Sequence, residues 1–278
     1  MVNSAKFELP PGINVTNLSC DRTWEAHQPS TDLIFDDGVP LESNRHRIAM
    51  NLLIHSLPQG MGDRTDYFVG GNMFVYYSQN QAMNRDFRGP DFLVALGVDS
   101  SRERKGWVVW EEGGHYPDVI VEFLSPSTED IDRYVKKSLY QRVFRTRNYF
   151  IFDPFDPQAF KGWHLSNKTH RYRTLKPNDQ GWLWCETLGL WLGTWEGVIG
   201  REPATGTCQW LRFYDADGNL VPLLEEQERQ RAEQERQRAE QAEQQLQQVV
   251  INLHQAGVDW AQIAQITGLT ESAVGEMV

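Results

Sequence analysis

Residues 117–141, PDVIVEFLSPSTEDIDRYVKKSLYQ, decide the reading of this chain. A strand alternates faces with a period of two. Within Asp118–Leu124, the residues Asp118, Ile120, Glu122 and Leu124 therefore share one face, and Val119, Val121 and Phe123 share the other. Glu122 sits mid-strand among apolar residues, which is costly unless a cationic group meets it. The second half of the stretch predicts a helix over Asp130–Arg145, with Ile131, Val135, Ser138, Leu139 and Arg142 as its inner stripe. Lys136 and Lys137 point about 100° apart on such a helix. Lys136 falls at the edge of the stripe, on the side of Asp132, Tyr140 and Val143, whereas Lys137 points away. Lys136 is thus expected near the sheet and Lys137 in solvent. Tyr149–Phe152 follows as another strand, stopped by Asp153-Pro154.

Upstream, Leu41–Leu57 reads as a helix with Glu42 and Ser43 at its polar start and Pro58, Gly60 and Gly62 at its end. Strand-like runs follow at Tyr67–Val69, Asn72–Tyr77, Asp91–Leu96 and Trp107–Glu111. Downstream, hairpin-like segments rich in Trp and Tyr lie at roughly 161–175, 182–199 and 208–222. Trp182, Trp184, Trp191 and Trp195 are spaced as a strand core is spaced. A helix, a run of strands, a helix and a returning strand imply an α/β core with a mixed sheet, the hairpins forming a small antiparallel extension.

Four regions are expected: an irregular arm over 1–40, a globular domain over 41–222, a charged heptad helix over 223–253 and a small helical end over 254–278. In the heptads Ala232, Ala239, Leu246 and Leu253 hold one position, but Arg229, Arg236, Glu243 and Val250 hold its partner. A coiled coil needs apolar residues at both, so a coiled-coil dimer and a single solvated helix supported by pairs such as Glu225–Arg229 stay open. Ala264, Gly268 and Val274 have helix-turn-helix spacing, yet no Lys or Arg follows Arg238 to contact phosphate.

The net charge is −11, with ten acidic against four basic residues from 223 onward. That argues against a DNA-coating protein but leaves room for a locally basic cleft. No run approaches the length of a transmembrane helix, and the start has no signal-peptide pattern. Cys20, Cys185 and Cys208 form neither a disulfide framework nor a CxxC zinc site, which fits a reducing, cytoplasmic setting.

The chemistry rests on the acidic residues. Asp118 and Glu122 are about 13 Å apart along one strand, too far to share a Mg²⁺ whose ligands lie about 2.1 Å away. Asp91, which opens the apolar run FLVAL on another strand, can meet Glu122. The expected pair is Asp91 with Glu122, and Asp118 is structural or supporting. Blander roles exist: Asp91 could cap backbone N–H groups, Lys136 could simply pair with Asp132, Glu42 could be favourable charge at a helix start, and His46 could lie on an exposed helix face.

PDVIVEFLSPST, then Asp132, Lys136 and Tyr140 at four-residue steps, then NYFIFDP, resembles the Uma2 family. LESNRHRIAMNLLIHSL, GPDFLVALGV and a Gln- and Arg-rich helical tail add to the likeness, over roughly residues 35–250. The resemblance implies a restriction-endonuclease-like PD-(D/E)XK fold: an α/β core of mixed sheet flanked by helices, with the antiparallel extension and a long C-terminal helix. It implies that Asp91 and Glu122 are the motif acids, that they hold Mg²⁺ or Mn²⁺, and that Glu42 is an accessory acid. The usual lysine two residues after the second acid is Leu124 here, so Lys136 is implied as its substitute from the helix. Ser125 and Tyr140 are expected to hydrogen-bond within the site. The implied activity is metal-assisted phosphodiester hydrolysis, DNA being the expected substrate and a homodimer the expected assembly. The alternatives are an inactive nuclease-fold scaffold acting through its C-terminal helix, and a regulator using the terminal helix-turn-helix.

Overall fold

The computed structural model describes residues 33, 35, 43–78, 81–82, 89–125 and 129–277. Glu42 and nearly all of the expected N-terminal arm lie outside the described residues. The chain divides into two compact units, Met1–Val221 and Pro222–Val278.

The first unit begins with helix α1, Asn44–Met61, followed by strands β1 (Tyr67–Gly70), β2 (Val75–Tyr76), β3 (Phe92–Leu96), β4 (Trp107–Val108) and β5 (Val119–Phe123). Helix α2 spans residues 131–144, and then come β6 (Asn148–Phe152), β7 (Lys161–Leu165), β8 (Tyr172–Thr174), β9 (Leu183–Cys185), β10 (Leu190–Gly197) and β11 (Cys208–Tyr214). The main sheet has the order β1-β3-β5-β6-β7-β8. Only β5 and β6 pair in parallel in it, joined by the α2 crossover; the other pairs are antiparallel, so the sheet is mixed. β5 and β6 are buried along their whole length. This explains why VIVEF and NYFIF read as near-continuous apolar runs, as strands covered on both faces do. On one face Leu93, Ala95, Ile120, Leu124, Tyr149, Ile151 and Trp163 pack with Leu139, Tyr140 and Phe144 of α2. The opposite face carries α1 and β11, with Phe92 of β3 6.1 Å from Phe213.

The core follows the expected plan, but several elements differ from it. Helix α1 runs through Pro58 to Met61 and ends at Gly62, whose φ of 58° favours glycine. The buried face formed by Leu52, Leu53, Ser56 and Leu57 holds the helix on the sheet, so one missing backbone N–H at Pro58 does not end it. The runs expected at Asn72–Tyr77 and Trp107–Glu111 shrink to two-residue strands that pair in parallel with each other.

Helix α2 departs most. It is π-wound over Ile131–Lys136 and Tyr140–Phe144, with one α turn between at Lys137–Leu139. In an α-helix, residues at four-residue steps drift round the axis by about 40° per step. Wider i→i+5 turns take back part of that drift. Asp132, Lys136, Tyr140 and Phe144 therefore share the sheet-facing side, where Asp132, Tyr140 and Phe144 are buried. The expected stripe fails: Ile131 is exposed, Arg142 is exposed, and of its members only Leu139 is buried.

The Trp residues expected as strand core are corrected too. Leu183, Cys185, Leu190 and Leu192 are the buried residues of β9 and β10, while Trp182, Trp184, Trp191 and Trp195 are half-buried. Trp184 pairs with Trp191 across the strands, and Trp182 stacks on Tyr214 at 3.8 Å. Trp182 lies over Gly193, where an added Cβ would sit 2.0 Å from the indole ring. Gly193→Ala is expected to displace Trp182 and cost about 1–3 kcal/mol. Thermal unfolding checks it, and an unchanged midpoint would show that the indole shifts freely.

The second unit holds helices α3 (Leu224–Gln255), α4 (Trp260–Thr267) and α5 (Glu271–Glu276). Val250, Ile263 and Val274 form its small core. The turn at Gly268 has a φ of 74°, and Thr270 caps α5. Earlier in α3 the side chains are solvated, with Arg236 pairing with Glu233 at 2.9 Å.

Candidate active site

Strand β5, its antiparallel neighbour β3 and the crossover helix α2 bring four of the expected residues together. The register that sets Phe92 opposite Val121 places Asp91 opposite Glu122 one step further on. Asp91 is fixed from two sides. Its Oδ2 accepts the Phe123 N–H at 2.7 Å, and its own N–H donates to Glu122 Oε2 at 3.3 Å. Its carbonyl presses against Gly71, where an added Cβ would lie 2.3 Å from that oxygen, and Asn72 N–H donates to it at 3.2 Å. The backbone-capping role and the site position thus coincide in Asp91.

Glu122 is fully buried. Its Oε1 accepts the Tyr140 hydroxyl at 2.6 Å, and its Oε2 lies 3.1 Å from Lys136 Nζ. Lys136 also reaches Asp132 Oδ1 at 2.8 Å. Lys136 therefore makes the expected helix ion pair and meets the strand carboxylate as well. Tyr149 donates its hydroxyl to the Asp132 carbonyl at 2.8 Å, tying α2 to β6.

The electrostatics follow from burial. Loss of water pushes Asp91 up to about 6 and Glu122 up to about 7, against the pull of Lys136. Burial alone would lower Lys136, but the carboxylates of Glu122, Asp132 and Asp91 outweigh it and hold the ammonium above its ordinary range. Burial, and then the Glu122 charge, keep the Tyr140 hydroxyl protonated well beyond neutral pH. Three carboxylates thus share one ammonium. The excess negative charge is relieved by protons on the acids or by an added cation. The donors are all carboxylate oxygens, which suit a hard divalent ion. Among the described residues no group of three or more His, Cys, Asp and Glu is arranged to hold a metal, so Asp91 and Glu122 form a two-carboxylate set at most.

Of the remaining expected residues, Asp118 lies elsewhere. Asp118 sits at the far end of β5, where Oδ2 accepts the Leu96 N–H at 2.8 Å and Oδ1 faces Arg147 Nε at 3.3 Å. It ties β3 to the start of β6. Ser125 is buried just past β5, and its carbonyl accepts the Glu129 N–H at 3.0 Å. Lys137, expected in solvent, is half-buried with Nζ 3.9 Å above the Trp163 ring. His46, read as lying on an exposed face, is buried; its Nε2 is 3.1 Å from the Leu124 carbonyl and its Nδ1 2.8 Å from Ser43 Oγ. Asp132 was not among the expected site residues, although its place in the Asp132, Lys136, Tyr140 series signals it.

The chain matches the family model described as "Uma2: Putative restriction endonuclease" over residues 23–195. None of the curated proteins matches it. A solved structure similar to it is that of "a putative nuclease belonging to DUF820" from Anabaena variabilis, 13% identical, covering 58% of this chain and 86% of that one with a TM-score of 0.39. The family match spans more than half of the 278 residues and takes in Asp91, Glu122, Lys136 and Tyr140, so the protein belongs to the Uma2 family.

Proposed function

We propose that this protein is a divalent-metal-dependent endonuclease that hydrolyses phosphodiester bonds in DNA. One observation carries the reading: Lys136 on α2 places its ammonium 3.1 Å from Glu122, beside Asp91, and so supplies the cation that Leu124 cannot. Asp91 and Glu122 would hold Mg²⁺ or Mn²⁺. When bound, such an ion supplies a water of lowered pKa and positive charge for the phosphate. The protein's own groups set the stage for it. Tyr140 holds the Glu122 carboxylate in one orientation. Asp132 keeps Lys136 charged and fixed in place. Lys136 then offers an N–H donor and a positive charge where charge grows on the phosphoryl oxygens. Incubation of supercoiled plasmid with the full chain in Mg²⁺ or in chelator tests this reading: nicking that needs the ion supports it, and intact plasmid under every divalent ion contradicts it. The buried Leu124 at the usual lysine position favours the rival reading of an inactive nuclease-fold scaffold, which predicts intact plasmid.

The raised carboxylates give a second expectation. Asp91 and Glu122 bind protons more tightly in the folded chain than in the unfolded one, so their contribution to stability is complete below about pH 4. It is lost as pH rises through about 6 and about 7. A divalent ion on the same oxygens competes with those protons. The melting-temperature gain from Mn²⁺ should therefore grow between pH 6 and pH 8, and calorimetric titration at pH 6 should show proton release. A gain independent of pH would place the ion elsewhere.

A further inference from the structure

Register places Glu122 of β5 opposite Ile151 of β6, and Ile151 opposite Lys161 of β7. Paired residues share a face, so Asp91, Glu122, Ile151 and Lys161 form a row across one side of the sheet. Lys161 lies two strand spacings from Glu122, or about 10 Å. Trp163, two residues on, faces the same way, and Lys137 of α2 stands over its ring at 3.9 Å. Two ammonium groups thus flank the site on the β7 side.

Their surroundings differ from those of Lys136 and of several arginines. Lys136, one residue away, contacts two carboxylates. Arg64, Arg102, Arg104, Arg133 and Arg147 each face an acid. Among the described residues, the side chains of Lys137 and Lys161 have no ion pair and no hydrogen bond, in a chain with 38 acidic against 27 basic side chains. Burial and then the charge of Lys161 lower the affinity of Lys137 for its proton. The Trp163 face holds Lys137 in place without neutralising it. Two like charges brought together with no acid between them are suited to a polyanion.

We propose that Lys137 and Lys161 contact the phosphate backbone next to the bond cleaved at Asp91 and Glu122, so that the nucleic-acid strand leads away from the carboxylate pair on the β7 side. The inference rests on the nuclease reading and adds the substrate's path to it. It also supplies a locally basic track on a chain whose net charge is −11.

The test is fluorescence anisotropy of the full chain with a labelled 30-base-pair DNA duplex over a salt series, alongside cleavage kinetics. Lys137→Ala/Lys161→Ala should weaken binding by about tenfold, lower the slope of log Kd against log salt by about 1–2, and raise KM while leaving kcat nearly unchanged. Lys137→Arg/Lys161→Arg should restore the slope, which a purely structural role for either lysine would not require. Wild-type binding with the same Kd and slope in the Ala variant overturns this inference alone. A lysine-dependent slope without cleavage supports the phosphate contact alone and removes the hydrolysis reading. A wild-type chain that does not bind the duplex overturns both.

Discussion

Glu122→Gln is expected to lower divalent-dependent cleavage by about 10²–10³-fold or more, with little change in stability. The two effects separate for a physical reason. Burial already brings Glu122 up to about 7, so its neutral form is well tolerated in the fold. Gln keeps the shape: its oxygen can take the place of Oε2 and accept from Lys136 and the Asp91 N–H, while its amide N–H donates to the Tyr140 hydroxyl oxygen. What is lost is the negative oxygen that would bind a cation. Lys136 keeps Asp132 at 2.8 Å and stays buried with a partner. Single-turnover cleavage and urea unfolding of the same variant check this. Full cleavage by Glu122→Gln would remove this carboxylate from the chemistry.

Lys136→Ala is expected to do the opposite and damage the fold itself, by about 3–5 kcal/mol near pH 8. Glu122 and Asp132 are 0% and 1% exposed, and Lys136 is the cation that meets both. Removing it leaves two buried carboxylates beside Asp91 without the ammonium that stands between them. They must take up protons, so the loss should shrink toward pH 5, where protonation is easy. Urea unfolding at pH 5 and pH 8 reads this difference directly. Lys136→Arg should retain most of the stability. An equal loss at both pH values would mean that Lys136 acts through packing rather than charge.

Much of this site was legible in the sequence because β5 and β3 are regular strands. Period-two alternation put Glu122 on an inner face, and rise per residue excluded Asp118 as its partner, where the structure shows Asp118 bound to Leu96 and Arg147 at the far end. Helix α2 was legible only in part. An α-helical wheel brings Lys136 toward the sheet, but it also puts Ile131 inside, and Ile131 is 42% exposed. The π turns that rotate Asp132 inward have no simple sequence signal. They arise because Tyr140, Phe144 and the Asp132–Lys136 pair all gain by facing the sheet together. The same limit applies to His46 and Lys137. Each finds its partner, Leu124 O or Trp163, on a distant element that helix periodicity cannot supply. The Trp residues misled for a related reason. Alternation identifies two faces of a strand but not which one is inner, and the Leu residues, on the face shared with Phe213, proved to be the inner set.

The most direct measurement is a crystal of the full chain soaked in Mn²⁺, with the ion located by its anomalous scattering. The account predicts a peak with oxygens of both Asp91 and Glu122 about 2.1 Å away and Lys136 Nζ still against the carboxylates. No Mn²⁺ at this pair, or an ion held by other residues, would contradict it.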